Sequence, residues 1–220
     1  MKTHKSNIPR LIIFFGPDGS GKTTQAKLLS DQLKSKGFSV KKVWMRSVHT
    51  LAFLISRIAQ QFLKLNDVYE FRSKYVRHSN LWYLVEFVSI IPLIFFRLYL
   101  PLSRGHIIVA DRFVIDWIVS IAYWTHNPSF IHSRWAGFAL RLIPKDAIMI
   151  YIDAEYQVLS SRRQLEESFD YINFQRTCYI MFAEELDAAK VDTSNKNIQE
   201  VNEIILKLCN AYDDSISGRQ

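Results

Sequence analysis

The stretch that most constrains this chain is Gly16-Pro17-Asp18-Gly19-Ser20-Gly21-Lys22-Thr23, which follows directly on the apolar run Leu11 to Phe15. A short, unbroken apolar run of this kind reads as a strand buried on both faces. The octapeptide fits the pattern G-x-x-x-x-G-K-[ST], the signature of a loop that cradles phosphates. Its glycines let the backbone turn tightly and approach a ligand without side-chain clash. Successive backbone N–H groups then form an anion nest, and the helix starting there adds its positive N-terminal dipole. Lys22 is spaced to reach the β- and γ-phosphates of a nucleotide, and the Thr23 hydroxyl to ligate Mg²⁺. A turn without a ligand has no need of both residues at these offsets. ATP and Mg²⁺ are therefore the expected cofactors, with Gly16, Asp18, Gly19, Ser20, Gly21, Lys22, Thr23 and Thr24 as the nucleotide-binding set.

Further along, strands are expected at Ser39 to Trp44, His106 to Ala110, Ala147 to Ile152 and Lys190 to Asp192. Helical patterns run from Gly21 to a stop at Gly37, and over 49–65, 69–100 with a break near Pro92, 113–125, 130–142, 155–167, 171–189 and 197–210. Strands alternating with helices imply a parallel sheet with helices on both faces. With the glycine-rich loop, the expected class is α/β: a three-layer P-loop NTPase fold on a five-stranded parallel sheet. No repeat and no Gly/Ser/Pro-rich linker divides the chain, so residues 1–220 are expected to form one domain, with residues 1–9 as a flexible tail. Ligands of such sheets sit at the carboxyl ends of the strands.

Composition narrows the classes. At 49% hydrophobic and 22% charged residues the chain is not a disordered polymer. The two cysteines, Cys178 and Cys209, have no disulfide or metal logic and suit a reducing compartment. The residues before Leu11 are polar and basic, unlike a signal peptide; a cytoplasmic location is expected. The net charge of +7 is spread along the chain without a long run, which favours a site for anionic small molecules over a nucleic-acid partner. The segment 81–102 raises the question of a membrane. Its charge-free core, Phe87 to Phe96, is half the ~20 residues a bilayer-spanning helix needs, so no span is expected, and a helix packed between the sheet and its neighbours is.

Three further groups carry chemistry. Asp111 ends the third strand, where an acid can orient Mg²⁺; a plain helix cap is the alternative. Arg112 follows at once, and its planar fork suits a phosphate. Arg162 and Arg163 fall on the helix after Asp153. They either close over a transferring phosphoryl group as part of a lid at about 160–172 or pair with Glu166 and Glu167 at i,i+4.

Taken together, GPDGSGKTTQAKLL, Asp111-Arg112-Phe113, Tyr151-Ile152-Asp153 followed by Arg162, and Val191-Asp192-Thr193-Ser194 resemble the thymidylate kinase family, in its archaeal thymidylate-kinase-like branch. The resemblance implies a nucleoside monophosphate kinase acting on a small nucleotide, dTMP to dTDP. It implies Lys22, Arg112, Arg162, Arg163 and Asp18 as catalytic residues, and an acceptor site of Asp18, Arg46, Glu86, Arg112 and Phe113, with Glu86 also readable as an ordinary helix residue. Thr23 and Asp111 would serve the metal, and Val191 to Ser194 would lie near the adenine. The family's homodimers imply one here, through the apolar 81–102 and 113–122 faces. Two departures stand out. Arg46 is followed by Ser47 and Val48 instead of Glu-Pro, and the glutamine associated with thymine recognition is missing after Phe113. The donor half is intact and the acceptor half is altered. The alternatives are a P-loop kinase of a nucleoside, sugar or metabolite, or a non-catalytic ATP-binding module docking through 81–102.

Overall fold

The computed structural model describes residues 9–45, 50–162 and 169–217, with side chains to residue 211. Five strands form one all-parallel sheet: β1 (Leu11–Phe15), β2 (Val40–Trp44), β3 (Ile107–Asp111), β4 (Ile148–Asp153) and β5 (Ala189–Asp192), in the spatial order β2-β3-β1-β4-β5. This is an α/β fold with helices on both faces of the sheet. The central strand β1 is apolar throughout because both faces are covered. Leu11, Ile13 and Phe15 point into one core, and Ile12 and Phe14 into the other.

The helix α1 (Lys22–Ser35) closes the second core with Ala26, Leu29 and Leu33, beside α10 (Ile198–Ser217). It ends at Gly37, whose φ of +88° suits glycine, as the sequence led one to expect. The first core is larger. It takes α6 (Val114–Trp124), α9 (Phe169–Glu185), and the inner sides of the helices between β2 and β3. The adjacent strands β1 and β3 therefore send their following helices, α1 and α6, to opposite faces of the sheet. That reversal opens a crevice at their carboxyl ends, the place where open α/β sheets hold ligands.

The segment between β2 and β3 departs from the sequence reading. The helix expected over 49–65 is α2 (Leu51–Leu63), but in place of one helix over 69–100 there are α3 (Val68–Lys74) and α4 (Asn80–Ile94). The break falls at 75–79 because Ser79 caps α4, its hydroxyl accepting from the Trp82 N–H at 3.2 Å. Pro92 does not end α4. A π turn, Phe95–Tyr99, follows it, and the helix runs on through α5 (Leu100–Ser103). The expected helix over 130–142 is likewise split: a 3₁₀ turn, Pro128–His132, precedes α7 (Arg134–Leu140), with Ser133 as the cap between them. The remaining helix, α8 (Tyr156–Arg162), follows β4.

Among the described residues, Asn80–Ser103 is long and apolar enough to cross a bilayer. In this fold it is two-sided. Trp82, Tyr83, Glu86, Ile90, Ile94 and Leu98 face inward and are buried, while Leu81, Leu84, Val88, Ile91, Phe95 and Phe96 stand exposed. The expectation that 81–102 packs between the sheet and its neighbours is thus corrected: the inner side packs and the outer side is bare. The 113–122 stretch is the opposite case: Phe113 to Val119, Ile121 and Ala122 are buried inside the chain and offer no outward face.

On the inner side, Glu86 meets Arg72 at 2.8 Å, and both side chains are fully buried. Burial pushes the Glu86 carboxyl up, opposed by the Arg72 charge. Glu86→Ala is expected to cost roughly 3–5 kcal/mol in urea unfolding, because it leaves the Arg72 guanidinium buried alone. The Arg72→Met/Glu86→Leu double variant is expected to cost less than either single loss. The thiols are pushed up by burial to about 11 at Cys178 and about 12 at Cys209. Both are expected to resist a thiol reagent at pH 8 in the folded chain and to react promptly in denaturant.

Candidate functional site

The glycine-rich loop turns out of β1 with Gly16, Gly19 and Gly21 all at positive φ. Gly16 is the position that admits no other residue. At φ +142°, a β-carbon there would collide with the Ile152 carbonyl oxygen of β4. Gly21, at φ +96°, is the N-cap of α1. The loop is tied down from several sides. The Asp18 N–H donates to Gln175 Oε1 at 3.2 Å from α9, and the Thr193 hydroxyl donates to the Ser20 carbonyl at 3.1 Å from the segment after β5. Lys22 lies along the loop, its Nζ donating to the Pro17 carbonyl at 2.6 Å and standing 3.9 Å from Asp18.

Across the crevice, Arg112 leaves the end of β3 in the left-handed region, at φ +70°, a conformation disfavoured for any residue with a side chain. Its N–H still closes the β-ladder onto the Phe14 carbonyl at 3.1 Å. Its guanidinium is held between two buried carboxylates, Nη2 on Asp18 and Nη1 3.4 Å from Asp116. Asp116 is in turn bonded by the Tyr179 hydroxyl at 2.9 Å and the Phe113 N–H at 3.3 Å, which makes it the first-turn acid of α6. Burial pushes the Asp116 carboxyl up against the opposing charges of Arg112 and Lys22. Burial and the neighbouring Asp116 push the Tyr179 hydroxyl well up. Lys22, Asp18, Arg112, Asp116 and Tyr179 thus form one continuous polar chain.

Arg162, at the end of α8, reaches the same loop. Its Nη1 donates to Thr193 Oγ1 at 3.0 Å and to the Gly19 carbonyl at 3.3 Å, and its Nη2 to the Thr193 carbonyl at 3.0 Å. Behind it Arg176 clasps both Asp153 oxygens at 3.0 Å, and those hydrogen bonds raise its own pKa. The Ser194 hydroxyl bonds Asp192 at 2.6 Å and holds that carboxyl below its usual range.

The loop, Arg112, Arg162 and Thr193 line a cavity of about 580 Å³ that runs on to Ile198 and Val201. The described residues lining it include Lys22, Arg112, Arg162 and Lys196, and no Asp or Glu. Thr23 and Thr24 stand exposed on the first turn of α1 within it. The walls present cations, hydroxyls and the N-terminal amides of a helix, a donor set that suits a polyanion.

Of the residues the sequence singled out, Gly19, Ser20, Gly21, Lys22, Thr23, Thr24, Arg112 and Arg162 line this cavity. Asp18 lies behind it, against Arg112. Asp111 is buried at the end of β3, and its Oδ1 has no hydrogen-bond partner among the described residues. An orphaned carboxylate oxygen beside the glycine-rich loop fits a hard cation such as Mg²⁺. Phe113 is buried as the N-cap of α6 and does not line the cavity. Glu86 is not brought there either; it is committed to Arg72. Arg46, Arg163, residues 1–8 of the expected tail and residues 163–168 of the expected lid lie outside the described residues. Asp116, Gln175 and Tyr179 were missed as site residues, while Thr193, expected only as part of the segment near the adenine, lines the cavity and holds the loop. An acid at the third position of a helix after an Asp-Arg pair was the one local signal, and it marked Asp116 alone.

No protein-family model matches the chain.

Gly16→Ala is expected to lower stability by roughly 2–4 kcal/mol, from left-handed strain plus the clash with Ile152. Thermal unfolding checks this, with Gly37→Ala as the control for positive φ without a clash.

Proposed function

We propose that this chain is an ATP-dependent phosphotransferase of the P-loop class that phosphorylates a nucleoside 5′-monophosphate, with dTMP to dTDP as the leading acceptor reaction. One observation carries the reading: the cavity of about 580 Å³ puts four cations, Lys22, Arg112, Arg162 and Lys196, and the first turn of α1 around a space that no acidic side chain among the described residues lines. Its volume is in the range of small-ligand sites. The five-stranded parallel sheet, with the glycine-rich loop beside the β1–β3 crevice, supports the P-loop class.

In this reading the loop amides and Lys22 hold the β- and γ-phosphates, and Lys22 shifts its ammonium from the Pro17 carbonyl toward them. Thr193, Lys196, Asn197 and Ile198 line the far side, where the base of the donor would lie. Arg112 binds the acceptor phosphate. The two carboxylates that grip it, Asp18 and Asp116, fix its fork in place before the acceptor arrives, so that little ordering remains for the binding step. Arg162, bridging Gly19 and Thr193, stands ready to neutralise charge that spreads over the transferred group. A phosphate acceptor is already a nucleophilic anion, so the chain needs no strong base at that position. Mg²⁺ accompanying the nucleotide would be held by the Thr23 hydroxyl and Asp111, and supplies charge neutralisation on the β- and γ-phosphates. The choice of dTMP rests on the family resemblance of Asp111-Arg112-Phe113 and the loop; the altered acceptor residues make the acceptor the point to be measured.

A coupled ADP-release assay with MgATP and dTMP, dUMP, UMP, CMP, AMP, GMP, thymidine or simple sugars tests this. Turnover is expected with a nucleoside monophosphate, and Lys22→Ala is expected to lower kcat by about 10²-fold or more. Turnover with thymidine or a sugar alone replaces the acceptor class. ATP binding without turnover on any acceptor overturns the enzyme reading.

A further inference from the structure

The helices between β2 and β3 carry an outward surface that the catalytic reading does not use. On α2, Leu51, Leu54, Ile58 and Phe62 are exposed, Phe62 at 83%. On the helix from Asn80, the exposed stripe is Leu81, Leu84, Val88, Ile91, Phe95 and Phe96, Phe96 at 63%. α2 and α4 pack on one another, with the Ala52 N–H donating to Ser89 Oγ at 3.0 Å, so the two stripes adjoin. An apolar surface of this extent is not left to water without a partner.

The charges around it select the partner. The exposed positions of α2 and of Asn80–Ser103 contain no Asp or Glu; the one acid there, Glu86, is buried against Arg72. Cations are present instead. Arg57 and Lys64 are exposed on and just after α2. At the other end, a cavity of about 360 Å³ between the edge strand β2 and the π turn is lined by Lys41, Lys42, Trp44, Phe96 and Arg97. The Arg97 Nη1 donates to the Trp44 backbone carbonyl at 2.6 Å, which fixes the cation against the end of β2. Trp44 is the register partner of Asp111, so this rim stands at the carboxyl edge of the sheet, beside the site.

We propose that this face binds the surface of an anionic lipid bilayer. The stripes of α2 and α4 enter the interfacial region, and Lys41, Lys42, Arg57, Lys64 and Arg97 meet lipid phosphates. Aliphatic and aromatic side chains bounded by cations, with aromatics at the boundary, are the composition of helices that lie in a membrane interface. Anionic headgroups supply the countercharge that the face lacks. A second copy of the chain supplies little: an exposed acid, Asp67, stands beyond Lys64 at the start of α3, but the two helices themselves expose none, so a two-fold contact between them would set these cations against their own kind. The proposal is independent of the phosphotransfer reading.

Co-sedimentation of the full chain with phosphatidylcholine vesicles, with and without phosphatidylglycerol, tests it. Binding is expected to the anionic vesicles and to fall with added salt. Phe62→Ser/Phe96→Ser and Lys41→Gln/Lys42→Gln are each expected to weaken it roughly tenfold or more. These side chains are exposed and lie outside the nucleotide cavity, so circular dichroism and ATP binding should be retained. Failure to bind anionic vesicles, or binding that both variants keep, overturns the proposal. So does a dimer in vesicle-free buffer that Phe62→Ser/Phe96→Ser dissociates, which would assign the face to a second copy.

Discussion

The grip of two buried carboxylates on Arg112 is the constraint on which the site depends. Asp18 belongs to the loop after β1, Arg112 to the end of β3, and Asp116 to the first turn of α6, with Tyr179 of α9 fastening Asp116 from behind. Four elements are thereby drawn together at one point. The arrangement is expensive in isolation: burial raises the carboxyl of Asp116, and Arg112 takes a left-handed backbone. Breaking such a cluster by removing one member leaves the others buried and uncompensated, which is why it acts as a unit. The outcome is a guanidinium whose fork is oriented before any ligand arrives.

Around that point the fold supplies positive potential by placement alone. The net charge of +7 is spread over the sequence, yet the cavity collects Lys22, Arg112, Arg162 and Lys196 from four separate segments, with no acid among the described residues that line it. The helix start at Gly21 adds aligned backbone donors. The sheet makes this possible, because α1 and α6 diverge to opposite faces and leave the ends of β1 and β3 open between them.

The helical region between β2 and β3 solves a different problem. Its inner side builds the larger core and buries the Arg72–Glu86 pair. Its outer side stays apolar where a water-facing helix would carry charge. A helix apolar all round has a low moment and reads from its sequence as fully buried; the fold gives it only one side to pack against.

The sequence by itself determined the framework. Short apolar runs such as Leu11 to Phe15, stopped at once by a glycine-rich turn, read as strands covered on both faces, and Gly16, Gly21 and Gly37 mark positions where the backbone turns left-handed; such signals are local, and the strands and the glycine-rich loop were legible for that reason. Helix ends set by caps were less so: Ser79 and Ser133 each divide a stretch that reads as one helix, and a hydroxyl's choice between capping and facing solvent depends on its neighbours. What only the tertiary structure decided was partnership. Asp116, Gln175 and Tyr179 join the site from α6 and α9, and Thr193 from beyond β5, across separations of up to 173 residues in sequence. Glu86 was turned to Arg72 instead of the cavity, and the outer stripe of α4 was left bare. Long-range contact carries no periodicity that a sequence can display, because it is set by which faces the chain brings together once the sheet has formed.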